Sequence, residues 1–177
     1  MRFVLRYYMA HPFGDRLRLR LEEKRIERKT GLVLVNPFYD VEGRTDVKEF
    51  DKLAKKMKAF DKFSKVEKLK DSEERQKWVS SWGVLMKSTT PKEVVERDLR
   101  VIRQTDGVLA FFTDKISVGT PMEVFYASHI LHHPVYLIIE DKTKMGHPWL
   151  VYHATSIFTN VDEFINSFNQ SKVIKRK

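Results

Sequence analysis

The chain has 177 residues, 42% of them hydrophobic and 32% charged, which suits one globular domain around a single core and excludes a disordered polymer. It contains no cysteine, so disulfides, thiol catalysis and cysteine-ligated metals are excluded. The formal charge of +9 favours anionic partners, but acids are interleaved with the lysines of 48–77, the pattern of a solvated helical face, so nucleic acid is not the expected partner.

The first segment, Phe3 to Met9, is rich in β-formers and ends in a loop by composition, Ala10 to Asp15. No small-residue cleavage site follows it, and the longest apolar runs, such as Gly107 to Phe112, are too short to span a bilayer; a cytoplasmic protein without a membrane partner is expected. Arg16 to Arg28 reads as a helix with Leu17, Leu21 and Ile26 facing inward, although its opening RLRLRL also alternates like a strand. Gly31 stops that helix, and Leu32 to Val35 reads as a buried strand ending at Asn36-Pro37. A β-α-β start implies a parallel pair with a right-handed crossover. In 41–90, Val47, Phe50, Leu53, Met57 and Phe60 recur at helical spacing, so this stretch is expected to be a helical insertion.

Thr90-Pro91-Lys92-Glu93 makes a capping box with proline at the first helical position. The helix it opens carries Val95, Leu99 and Ile102 inward and ends near Asp106-Gly107. Val108 to Phe112 follows as a buried strand, and Ser117 to Glu123 opens a helix running to about Leu131. Pro134 to Glu140 is a fourth strand, Ile157 to Thr159 a short fifth, and Asp162 to Phe168 a last helix. Alternating strands and helices predict an α/β fold: one domain over 1–177, with a doubly wound, Rossmann-like parallel sheet of about five strands and helices on both faces.

In such sheets ligands bind outside the carboxyl ends of the strands. The polar residues there are Tyr8 and His11 after the first strand, Asn36 and Asp40 after the second, and Ser117 to Glu123 after the third. The loop with Ser117, Gly119 and Thr120 feeds a helix start, where free amides favour an anion such as phosphate. Thr120 to Glu123 also spells a capping box, so Glu123 can be read as a mere cap of its own helix. Asp98 falls beside Leu99 and Ile102, near the inner edge of its helix. Two carboxylates at one sheet edge suit glycosidic chemistry. His129, His132 and His133 stand at i, i+3 and i+4, yet no carboxylate is spaced to complete a metal site, and a histidine-rich helix end serves equally as a cap; no metal is expected.

Three segments carry a resemblance: YYMAHPF (7–13), ERDLRVIRQTDGVLAFF (96–112) and SVGTPMEVFYASHILHHPVYLI (117–138). Together they resemble the nucleoside 2-deoxyribosyltransferase superfamily, which includes 2'-deoxynucleoside 5'-phosphate N-hydrolases and cytidylate N-glycosidases. The resemblance implies that Glu123 is the nucleophile of a covalent glycosyl intermediate, that Asp98 assists at the base or sugar, and that Tyr8, rather than Tyr7, orients the nucleophile. It also implies a 5'-phosphate contact from Ser117, no cofactor, and at least a homodimer; Gly119, Thr120, His11, Phe13 and Asp40 are the further substrate-binding candidates, by their place in the loops at the strand ends. Serine at 117, where the transferases resemble one another in carrying Asp, favours nucleoside 5'-monophosphates cleaved to free base. The loop His11 to Asp15 is not the Gly-rich phosphate loop of the deoxynucleotide hydrolases, and Tyr8 stands where the cytidylate enzymes have Phe. A transferase acting on free nucleosides, and a non-catalytic nucleotide- or nucleic-acid-binding module, therefore stay open.

Overall fold

The computed structural model describes residues 4–38, 91–115 and 117–174. Contacts divide the chain into two compact units, residues 1–40 with 98–177, and residues 41–97. The proposed insertion over 41–90, the cap Thr90 and the site candidate Asp40 lie outside the described residues.

Among the described residues the chain forms β1 (Arg6–Ala10), α1 (Arg16–Thr30), β2 (Val33–Val35), α2 (Pro91–Arg103), β3 (Gly107–Phe112), α3 (Gly119–Phe125), β4 (Val135–Ile139), α4 (Pro148–His153), β5 (Ser156–Phe158) and α5 (Val161–Ile174). The five strands are all parallel, in the order β2-β1-β3-β4-β5. β3 is buried along its whole length, as its uninterrupted apolar run GVLAFF requires of a central strand covered on both faces. The fold is thus the expected doubly wound α/β sheet.

Alternation along the strands separates two side-chain layers. Tyr7, Met9, Leu109, Phe111 and Ile138 pack with Leu19 and Ile26 of α1 and Phe164, Ile165 and Phe168 of α5. Tyr8, Ala10, Val108, Ala110, Leu137 and Ile139 face the other way, onto Ile102 of α2, Val124 of α3 and Leu150 of α4. Alanine at 10 and 110 leaves room for α3 to lie close over β1 and β3.

The expected inward face of α1 needs correction. Leu17 and Leu21 are exposed, at 53% and 75%, whereas Leu19, Glu23, Ile26 and Thr30 are buried. Spacings of four, three and four residues from Leu19 trace one stripe of the helix, and the alternating leucines of RLRLRL cannot all share it. Val95 is likewise exposed and Leu99 only half-buried, leaving Ile102 as the fully buried member of that expected set. Helix α4 had no counterpart in the sequence reading; Pro148 at its first turn is its one local signal.

α3 continues through a wider π-type turn, Tyr126–Ile130. His132 then adopts a left-handed φ of 56°, and the His133 amide closes back on the Ala127 carbonyl at 2.9 Å. The histidine pair therefore ends a helix.

Gly107 heads β3 opposite Tyr7 of β1. A Cβ there would lie 2.7 Å from the Pro134 carbonyl oxygen and 3.2 Å from the Tyr7 ring. The first obstacle is backbone at the entry to β4, which cannot swing aside. Gly107→Ala is expected to cost about 1–3 kcal/mol by overpacking, lowering the melting midpoint by roughly 2–12 °C in a thermal melt.

Candidate active site

The chain runs from β1 to β2 on one side and then returns to β3 on the other, so the crevice between the loops after β1 and β3 is the topological switch point. The loops are tied across it: the Thr113 hydroxyl, just past β3, donates to Asp15 Oδ2 at 2.6 Å in a buried contact. Neither residue was singled out from the sequence, because a lone threonine after a strand carries no local signal.

On the α3 side of this crevice, the buried Tyr8 hydroxyl donates to Glu123 Oε1 at 2.6 Å. A hydroxyl–carboxylate bond of that length is charge-assisted and fixes the carboxylate's orientation. Tyr8 reaches it because β1 turns even-numbered residues toward α3. Tyr7 points into the opposite layer, stacked on Tyr136 at a centroid distance of 5.7 Å. Burial, then the neighbouring Tyr136 ring, push the Tyr7 hydroxyl well above the usual tyrosine range, so it stays neutral.

Glu123 is half-buried. The capping-box reading of Thr120 to Glu123 does not describe the helix start. α3 begins at Gly119, and the Thr120 amide donates to Ser117 Oγ at 3.2 Å. Ser117 Oγ and Thr120 Oγ1 lie 2.8 Å apart. One hydroxyl of this pair donates to the other, which leaves the second hydroxyl proton to bond elsewhere. Gly119 is exposed, and an added Cβ would meet nothing within 4 Å.

Asp98 is half-buried on α2, four residues before Ile102 and hence on the same helix face. Ile102 packs in the layer that also holds Tyr8 and Val124. His11 is enclosed, at 4% exposure: Nδ1 lies 3.0 Å from the Pro12 carbonyl and Nε2 3.4 Å from Asn36 Oδ1. Burial holds its pKa below the ordinary histidine value. Phe13 and His11 both meet Phe38 edge-on, at 5.2 and 5.0 Å, and the Arg16 guanidinium lies 4.2 Å from the Phe13 ring centroid. The loop after β1 therefore offers an aromatic wall rather than a cradle of free amides.

Behind that wall lies a polar knot that the sequence reading missed. Asn36 Nδ2 donates to Glu23 Oε2 at 2.8 Å, and Asn36 Oδ1 accepts from the Phe38 amide at 3.0 Å. The Glu23 side chain is fully buried and also pairs with Arg20 and with Lys24 at 3.3 Å. Among the described residues, no cluster of three or more His, Cys, Asp or Glu could hold a metal, and no helix is long and apolar enough to cross a membrane.

No family model matches the sequence, and no curated protein matches it. Solved structures do. The 2-deoxyribosyltransferase of the psychrotolerant bacterium Bacillus psychrosaccharolyticus is 18% identical with a TM-score of 0.51, covering 91% of this chain and 90% of its own. A conserved protein from Enterococcus faecalis V583 is 10% identical with a TM-score of 0.56, covering 96% and 99%. The Clostridium botulinum CMP N-glycosidase BcmB is 13% identical with a TM-score of 0.49, covering 94% and 98%. At these identities the likeness is one of fold: this chain shares the fold of that 2-deoxyribosyltransferase and of the Enterococcus faecalis protein.

Proposed function

We propose that this chain, with its nucleoside 2-deoxyribosyltransferase fold, cleaves the N-glycosidic bond of nucleoside 5'-monophosphates through a covalent intermediate on Glu123. The observation that carries the reading is the 2.6 Å bond from Tyr8 to Glu123 Oε1, which orients the carboxylate beside the crevice at the strand ends. In the first step a Glu123 oxygen bonds to C1' as the C1'–N bond breaks, and the bond's electrons leave with the base. Asp98 manages the proton or charge of the departing base. Water then attacks C1', one of its protons is taken up at the site, and the Glu123 carboxylate is released. The spare hydroxyl proton of the Ser117–Thr120 pair is the donor assigned to the 5'-phosphate.

Chromatography of products from a panel of ribo- and deoxyribonucleoside 5'-monophosphates and free nucleosides, with and without an added base, tests the proposal. Free base released from monophosphates without an acceptor is the expected outcome. Exchange that requires the acceptor base would make the chain a transferase, and no turnover on any substrate would leave only a binding module.

Tyr8→Phe removes the bond to Glu123 while keeping the ring in its layer. A hydrogen bond to a charged group contributes about 1.5–3 kcal/mol, so kcat/KM is expected to fall by about 10- to 100-fold. Stability should change little, because the half-exposed Glu123 can turn to water. Equal losses at Tyr7→Phe would remove the orienting role from Tyr8.

A further inference from the structure

Ser117 and Thr120 border a second space. A cleft of about 520 Å³ opens between the start of α3 and α4, and Glu123 is not among its lining residues. Of the α3 positions that line it, Pro121, Met122, Val124 and Phe125 lie off the Glu123 face, while Thr120, three residues before Glu123, shares that face. Its lining is rich in aromatic rings, Phe112, Phe125 and, from α4, Trp149 and His153, with Trp149 64% exposed. The Ser128 hydroxyl and His153 Nδ1 lie 2.7 Å apart and hold that ring, while Trp149 tilts over it at 5.8 Å. Two cations flank the end next to Ser117: Lys115 from the loop after β3 and Lys144 from the loop after β4. Among the described residues Lys115 has one loose ion pair, at 3.4 Å with the exposed Asp114. Lys144 is tied to the Thr113 carbonyl and to Asp141.

A volume in this range encloses a whole small molecule, far more than one phosphate group fills. Flat aromatic walls take a planar ring by stacking, and lysines at the end nearest Ser117 suit phosphate charge. We propose that the cleft receives what is attached beyond the substrate's 5'-phosphate, so that the preferred substrates are nucleoside 5'-diphosphates bearing a second planar ring, as in dinucleoside diphosphates. This rests on the reading of Glu123 as nucleophile and Ser117 as phosphate contact. C1' faces Glu123, the first phosphate sits at the Ser117–Thr120 pair, the second lies between Lys115 and Lys144, and the distal ring stacks on Trp149. The glycosidic step is the one written above, with the distal group unchanged.

The test uses the full chain carrying Glu123→Gln, which stops turnover, and titrates tryptophan fluorescence with a P1,P2-dinucleoside diphosphate and with the matching nucleoside 5'-monophosphate. Stacking one ring strengthens binding about 5- to 150-fold, so the dinucleoside diphosphate should bind at least about fivefold more tightly. Adding Trp149→Ala should bring the ratio of the two affinities to about one. Equal affinities before that substitution, a ratio that survives it, or no binding of either ligand would overturn the proposal. So would a dimer in sedimentation that Trp149→Ala dissociates without altering the ratio, since a second copy would then cover the cleft. The two readings fail separately. Base release from monophosphates with equal affinities removes the cleft assignment alone. A Trp149-dependent preference without base release from either ligand removes the glycosidase alone.

Discussion

Glu123→Gln is expected to abolish base release while leaving nucleotide binding in place. Glutamine keeps the shape of the side chain, and its carbonyl can still accept from the Tyr8 hydroxyl that now lies 2.6 Å from Oε1. Its amide nitrogen, however, cannot form a glycosyl ester. The loss should therefore appear in kcat, at least about a thousandfold, the scale of removing a group that acts only in the transition state. Single-turnover assays and equilibrium titration on the same preparation separate chemistry from binding. If Glu123→Gln turned over within tenfold of the parent, the covalent mechanism would be lost, and the carboxylate would stand as a structural acceptor for Tyr8.

The second large effect lies in stability. Glu23 is fully buried on α1 and accepts from Asn36, Arg20 and Lys24. Removing one member of a buried charged pair costs about 3–5 kcal/mol when the remaining charge is stranded. Here the Arg20 and Lys24 side chains are 30% and 55% exposed and can return to water. The Asn36 amide loses its carboxylate acceptor and keeps a weak donation to Met9 Sδ at 3.9 Å, so Glu23→Ala should cost less, about 2–3 kcal/mol. For a chain of this length that corresponds to a fall of about 4–12 °C in the melting midpoint. Glu23→Gln retains an acceptor for Asn36 and should lose less than half as much. Because Asn36 also holds the Phe38 amide and faces His11, the alanine variant should loosen the loop after β1, visible as faster amide exchange there. A midpoint within 1 °C of the parent would show that the knot is dispensable to folding.

Much of the fold was legible because its signals are local. Runs such as GVLAFF and VYLII can only be buried strands at these lengths, and helices lie between them in sequence, so a parallel sheet covered on both faces follows. Strand ends are places of known meaning in such sheets, and Tyr8, His11 and Ser117 to Glu123 could be placed there from chain order alone. The leucines of α1 were misread because RLRLRL fits two periods at once, and only packing against β2 and α5 selects the phase that buries Leu19 and Ile26. Glu23 was invisible for a related reason. A charged residue in a basic helix reads as solvent-facing until a partner from another element, here Asn36 at the end of β2, supplies the amide that justifies its burial.

By itself, then, the sequence determined the class of fold, the order of its elements and the loops from which a site could be built, because periodicity, caps and turn residues act within a few positions of one another. Tertiary structure decided which side chains meet. Tyr8 rather than Tyr7 reaches Glu123, across 115 positions of sequence, because the register of β1 against β3 sets which face each tyrosine takes. It likewise decided that His11 is enclosed, that Ser117 pairs with Thr120, and that a cleft opens beside α4. Each of these depends on the distance between elements that no local pattern specifies.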